Sequence, residues 1–121
     1  MIIVKADPER QRLNLVINQD ISEADFIDIL AKLDQEIPKL KAGWVMSTDL
    51  RGLMMVDGSL SRYITEVQKK IFAGKAKKIG TLVDSYIMKV QLVRGGKEVE
   101  PDYNARRFDD ETEWEKYLSE D

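Results

Sequence analysis

The 121-residue chain has no cysteine and no histidine. Without cysteine there are no disulfides, no thiolate metal sites and no thiol nucleophile. Without histidine the commonest general base and the commonest transition-metal ligand are gone. Proline is scarce, with three residues. No apolar run approaches the roughly 18 residues that a membrane span requires. The start, Met1-Ile2-Ile3-Val4-Lys5, reads as a strand and lacks the features of a secretory signal, so a cytoplasmic location is expected. Charge of either sign is not in large excess. Lys and Arg number 19 against 22 Asp and Glu, a net charge of -3, which does not favour bulk nucleic-acid binding.

What is present suits one soluble globular domain spanning 1–121, in which 43% of residues are apolar and 34% charged. A chain of this length buries roughly two-thirds of its unfolded surface, enough for a core without metal or disulfides. The charges are unevenly placed. Lys69, Lys70, Lys75, Lys77 and Lys78 gather in one stretch, while positions 109–121 hold seven acids against one lysine. The lysines read as a solvated helix end, since they lack the interleaved aromatics of a nucleic-acid surface.

Residues Ile2 to Lys5, the turn cluster Asp7-Pro8-Glu9-Arg10, and the alternation Leu13, Leu15, Ile17 predict an opening antiparallel hairpin. Ser22 with Asp25 forms a capping-box-like pair, Ile21 and Phe26 are spaced for a hydrophobic staple, and Phe26, Ile29, Leu30, Leu33 and Ile37 make one helical face. Pro38 ends that helix nearby. Gly43 to Asp49 reads as a strand buried on both faces. A second helix carries Leu60, Tyr63, Ile64, Val67 and Ile71, with Gly74 as its C-cap. Ile79 to Val83 is the fourth strand. Asp84-Ser85 caps a third helix bearing Ile87, Val90 and Gln91, which Gly95-Gly96 is expected to end. Lys97 to Asn104 reads as a polar connection, Ala105 to Phe108 as a weak fifth strand. Asp110 with Glu113 opens a last helix anchored by Trp114, Tyr117 and Leu118. The order β-β-α-β-α-β-α-β-α predicts an α/β domain with a central mixed, mostly parallel sheet of about five strands and about four helices.

The segment richest in chemistry runs from Asp49 to Leu60, leaving a buried strand and entering a helix. In open α/β sheets ligands gather at the C-terminal ends of strands, and a helix N-terminus favours anions. Asp57 and Ser59 are good helix caps. Capping is the favoured reading of Ser59, and the sharper alternative is a modifiable hydroxyl whose phosphate would add roughly -1.5 to -2 charge. Met54-Met55 reads as either an adaptable exposed surface or, slightly better, a short buried segment. Met54, Met55, Tyr63 and Tyr86 are candidates to line an apolar ligand pocket. The carboxylate pairs Asp7/Glu9, Asp49/Asp57 and Asp109/Asp110 are better explained as caps and turns than as acid–base machinery.

The stretch Asp49-Leu50-Arg51-Gly52…Asp57-Gly58-Ser59 resembles the aspartate-leucine-serine-glycine…aspartate-serine-serine-glycine motif of the STAS domain, the fold of sulfate transporters and anti-sigma-factor antagonists. The eight-residue step from Asp49 to Asp57 matches. Lys78-Ile79-Gly80-Thr81-Leu82-Val83-Asp84 with Gln91-Leu92, and Arg107-Phe108-Asp109-Asp110…Trp114…Tyr117-Leu118, are similar to SpoIIAA-like bacterial proteins. The resemblance implies a STAS-like fold and a non-enzymatic regulatory domain. Its partner would be a protein such as a kinase or anti-sigma factor, bound through the loop and helix at 52–72 and switched by phosphorylation at Ser59. Asp49, Asp57 and Gly58 would share that site. Gly58, Leu60 and Arg51 depart from the motif's first serine, late glycine and early serine. The alternative is a small-ligand protein of STAS-like or lipid-transfer-like fold, taking a lipid or nucleotide. No cofactor, metal or nucleic acid is expected, and five methionines with an apolar helix leave a homodimer open.

Overall fold

Alternation in the second strand organises the molecule. Leu13, Leu15 and Ile17 are buried while Arg12, Asn14 and Val16 are half-buried, the period-two pattern that commits one strand face to a core. The computed structural model describes residues 1–99 and 104–120. It contains strands β1 (Ile2–Asp7) and β2 (Arg12–Ile17), helix α1 (Glu23–Glu36), strand β3 (Val45–Asp49), helix α2 (Ser61–Ala73), strand β4 (Lys78–Leu82), helix α3 (Tyr86–Val99), strand β5 (Ala105–Phe108) and helix α4 (Glu111–Ser119). The five strands lie in the order β1-β2-β3-β4-β5. β1 and β2 pair antiparallel, with Ile2 opposite Ile17, and the remaining pairs are parallel. The chain is therefore the α/β domain with a mixed, mostly parallel sheet and four helices that its patterning predicts.

The strand order dictates where the helices go. Each crossover steps to the next strand in the same direction. Right-handed crossovers of that kind deliver every connecting helix to the same face. α1, α2 and α3 accordingly pack side by side, over Leu15, Thr48, Ile79 and Thr81. α4 follows the last strand, crosses nothing, and folds onto the opposite face against β4, β5 and β3. Because the order never reverses, the sheet has no switch point at which a crevice opens of its own accord. Any site at its C-terminal edge must be built by loops.

Local signals hold at most element ends. Ser22 Oγ accepts from the Asp25 N–H at 3.2 Å and Asp25 Oδ2 from the Ser22 N–H at 2.9 Å, a full capping box. Ile21 and Phe26 are both buried, as a staple requires. α1 gives way to a single 3-10 turn, Ile37–Lys39, at Pro38. Gly74 is the C-cap of α2 with φ -76°, and the left-handed residue is its neighbour Lys75, φ 67°.

Three expectations are corrected. Gly95-Gly96 does not end α3, which continues to Val99. Glycine costs a helix only about 1 kcal/mol, whereas proline stops it, and Pro101 stands two positions past Val99 in the sequence. Residues 97–99 of the expected polar connection are thus helical, and 100–103 lie outside the described residues. The apolar stripe of α3 is turned by one residue from Ile87: Met88 is buried and Ile87 is 53% exposed. Finally, Lys78 does not belong to a solvated helix end. It is a β4 residue only 4% exposed. Its Nζ donates to the carbonyls of Tyr117 and, at 2.6 Å, Glu120, where the C-terminus of α4 presents negative dipole ends.

α4 is fastened to its sheet face at several points. Trp114 Nε1 donates to Gly80 O at 2.9 Å, and Arg12 reaches Glu115 at 3.0 Å and the Ser119 hydroxyl at 3.0 Å. Gly80 is where the helix comes closest. A Cβ there would stand 2.8 Å from Leu118 Cδ2 and 3.1 Å from Tyr117 Cδ2, and both residues are buried. Gly80→Val should therefore overpack the α4 interface and destabilise the fold by roughly 1–3 kcal/mol. Denaturant unfolding checks this. An unchanged midpoint would mean that α4 does not pack here in solution.

Candidate functional site

The loop between β3 and α2 has inside and outside residues at close sequence intervals. Leu50, Leu53 and Val56 are buried, whereas Met54 is 61% and Met55 50% exposed. Met54 and Met55 are thus not the buried segment that the sequence slightly favours. Leu50, Leu53 and Val56 turn into the core, and the two methionines between Leu53 and Val56 turn outward. Gly52 permits the entry turn with φ 91°, a region other residues rarely occupy.

The exposed segment is held by hydrogen bonds on both sides. The Gln91 amide accepts from the Val56 N–H at 2.9 Å and donates to Val56 O at 2.7 Å, so one α3 side chain satisfies both backbone groups of one loop residue. Ser85 Oγ donates to Met54 O and accepts from the Met88 N–H at 3.2 Å. It caps α3 and ties the methionine segment to it. Tyr86 and Ile87 follow Ser85 directly, 79% and 53% exposed. The four exposed apolar side chains therefore sit at the C-terminal edge of the sheet on a braced backbone.

Asp49 ends β3 and receives a two-pronged contact from Arg51, Nε to Oδ1 at 3.1 Å and Nη2 to Oδ2 at 2.9 Å, plus the Arg51 N–H at 3.1 Å. Arg51 also reaches Glu111 at the start of α4, 3.4 Å away. Burial pushes the Asp49 carboxyl upward. The hydrogen bonds and charge of Arg51 outweigh it and hold the group below the usual carboxylate range. Asp57 caps the 3-10 turn Gly58–Leu60 that leads into α2. Its Oδ1 accepts from the Ser59 N–H at 2.9 Å and from Ser59 Oγ at 2.7 Å, and these two bonds keep the carboxyl low. Ser59 is exposed. Gly58 has open space where a Cβ would stand. Asp57, Gly58 and Ser59 thus form one unit, whereas Asp49 is engaged with Arg51 instead. Asp7 and Asp110 also cap turns or helices, accepting from the N–H groups of Arg10 and Glu113.

The residues expected to line a ligand pocket do not do so together. Tyr63 stacks on Phe26 with centroids 5.2 Å apart and carries the Arg62 guanidinium over its ring at 4.8 Å, and Tyr86 points to solvent. An apolar pocket of about 70 Å³ exists elsewhere, between the sheet and α1–α3, walled by Leu53 and Val56 of the loop, Ile64 and Gln68 of α2, and Met88 of α3. None of Met54, Met55, Tyr63 and Tyr86 lines it.

Gln68 escapes a reading based on motifs, and Ser85, Ile87 and Gln91 are legible only as a cap and as residues of the third helix, without a place in the site. A signal for the two glutamines was present: each interrupts an apolar helical face, at 64-67-68-71 and 88-91-92, where a polar residue needs a partner. Among the described residues no helix is long and apolar enough to cross a membrane, and no three Asp or Glu side chains converge as a metal site. Comparison of the chain with protein-family models, curated proteins and solved structures finds no match.

Removing the Asp49 charge gives a signed prediction. A carboxyl held low in the folded state stabilises fully above its unfolded value near 4, and that contribution is lost as pH falls through the lower folded value. Asp49→Asn should cost of order 1 kcal/mol at pH 7, and the gap from the parent chain should close as pH falls below about 4. Urea midpoints across that range measure it. A gap that persists in acid would mean that the ion pair contributes nothing.

Proposed function

We propose that the chain is a non-enzymatic regulatory domain of STAS-like type that docks a protein partner through the 52–60 loop and the adjoining starts of α2 and α3. The observation that carries the reading is the exposed apolar group Met54, Met55, Tyr86 and Ile87 on a backbone pinned by Ser85 and Gln91. Clustered exposed apolar side chains cost solubility and mark interaction surfaces. Methionine and tyrosine suit the role, the first by adaptability and the second by contact area with few rotatable bonds. The backbone bracing supports docking with little ordering cost. The absence of histidine and cysteine accords with a domain that is bound rather than one that does chemistry.

Ser59 supplies a switch within that surface. Its hydroxyl donates to Asp57. Phosphorylation would replace the donor with a group of roughly -1.5 to -2 charge beside the Asp57 carboxylate. The repulsion would break the Asp57 cap and reorient the entry to α2, while the helix N-terminus favours the new anion. A kinase or anti-sigma-like protein of the same cytoplasm is the partner this chemistry suits.

The test is affinity capture from the native cytoplasm with the parent chain, Met54→Asp/Met55→Asp, Ser59→Ala and Ser59→Asp. A specific protein retained by the parent and by Ser59→Ala should be lost with the double aspartate variant. Its affinity should change at least several-fold with Ser59→Asp, with thermal midpoints unaltered. A partner bound equally by all four chains would refute docking through this surface.

A further inference from the structure

The two edges of the sheet differ in how they meet solvent. β5 is four residues long and carries Arg106 and Arg107, both exposed. A short, charged edge strand discourages pairing with another chain. β1 opens instead with Ile2, Ile3 and Val4, β-branched residues suited to a strand. Antiparallel pairing makes alternate residues turn their backbone groups toward the partner strand. The Asn18 N–H donates to Met1 O at 3.2 Å, so Met1, Ile3 and Lys5 turn theirs to β2. Ile2, Val4 and Ala6 turn theirs outward. The Ala6 N–H agrees, since it donates away from the sheet to Glu36 Oε1 at 3.0 Å. α1 thus stoppers the outer edge at Ala6. Just before it, among the described residues, no group of the chain hydrogen-bonds the outward N–H and C=O of Ile2 and Val4.

We propose that β1 is the interface of a homodimer, in which two copies of the chain join their sheets antiparallel about a two-fold axis beside Ile3. In that register Ile2 and Val4 of one copy stand opposite Val4 and Ile2 of the second copy. Each such pair exchanges two N–H···O=C bonds, about four in all. The free stretch of edge is therefore its own complement. A register centred on Val4 would need the Ala6 N–H, which Glu36 holds. Ile3 is 39% exposed. It meets its own copy at a non-hydrogen-bonded pair, where facing side chains come closest. Charge fits the same register. α1 packs over β1 and, returning from β2, runs in the direction of β1. With Glu36 beside Ala6, rises of about 1.5 Å per helix residue and about 3.3 Å per strand residue put the level of Ile3 near residue 29 of α1. The two-fold axis then turns Lys32 toward Asp25 and Asp28 of the second copy. The proposal does not rest on the docking reading, whose surface lies on the 52–60 loop.

The test is sedimentation velocity of the full chain over a concentration series, with the parent, Ile2→Pro, Ile3→Lys and Met54→Asp/Met55→Asp. Ile2 is the first residue of β1 and its N–H points outward, a position where proline is tolerated, so Ile2→Pro removes a seam donor and leaves the β2 ladder intact. Ile3→Lys sets like charges directly opposite each other. The parent should show a reversible monomer–dimer equilibrium. Ile2→Pro and Ile3→Lys should each weaken it at least tenfold, and the double aspartate variant should dimerise within twofold of the parent. Hydrogen exchange on the parent alone gives a second readout that needs no variant: protection of the Val4 amide should rise with protein concentration, while that of Lys5, bonded within the β1–β2 pair, should not. A parent that stays monomeric, a dimer that Ile2→Pro and Ile3→Lys leave unweakened, or a Val4 amide indifferent to dimer formation would each overturn the assignment.

Discussion

Two-sided burial of β4 is the constraint on which the rest of the structure depends. Every residue from Lys78 to Leu82 is buried. Ile79 and Thr81 face the pocket beneath the three crossover helices, while Lys78 and Gly80 meet α4. A strand in this position must satisfy two packing problems at once. It does so with alternating chemistry: core-filling residues on one face, and on the other a glycine that lets a helix approach and a lysine that neutralises that helix's end. The middle of β4 can thus be covered only when both layers are in place, which joins α4 to the fold despite its short length.

From that core the C-terminal edge of the sheet follows. The one-way strand order denies the molecule a crevice, and the loop after β3 instead forms a platform. Leu50, Leu53 and Val56 anchor it below; Gln91 and Ser85 pin it laterally. The side chains left over are apolar and exposed. A loop with its backbone groups satisfied and its inward residues buried has little freedom to hide Met54 and Met55, so their exposure is a consequence of the bracing. The same economy places Gln68 among apolar residues with one hydrogen-bonding function used and one spare.

Much of the fold was legible from local pattern. Ser22 with Asp25, Pro38, Asp110 and the alternation through Ile17 act through neighbours within a few residues, and each operates in the structure as its chemistry dictates. The structure departs from local pattern where a local signal is weaker than its competitors. Gly95-Gly96 resembles a helix stop, yet glycine only taxes a helix. Periodicity alone places the α3 stripe at Ile87, whereas packing against α2 buries Met88 instead. In the candidate site, Asp57 and Ser59 were legible as a cap because they bond to each other. The pocket residues were not, because Gln68 and Met88 are brought to the loop by packing alone.

The sequence by itself determined the class of fold, the order of elements and most of their caps, since periodicity and capping depend on interactions between residues close along the chain. It also determined what chemistry is absent, because no arrangement can supply a histidine or cysteine that is missing. The tertiary structure decided which of two neighbouring methionine readings holds, which lysine turns inward, and where apolar space remains. Those outcomes depend on how strands distant along the chain stack against helices, and on which side chain fills a given volume. Burial is a property of that assembled volume, and no stretch of the chain carries it alone.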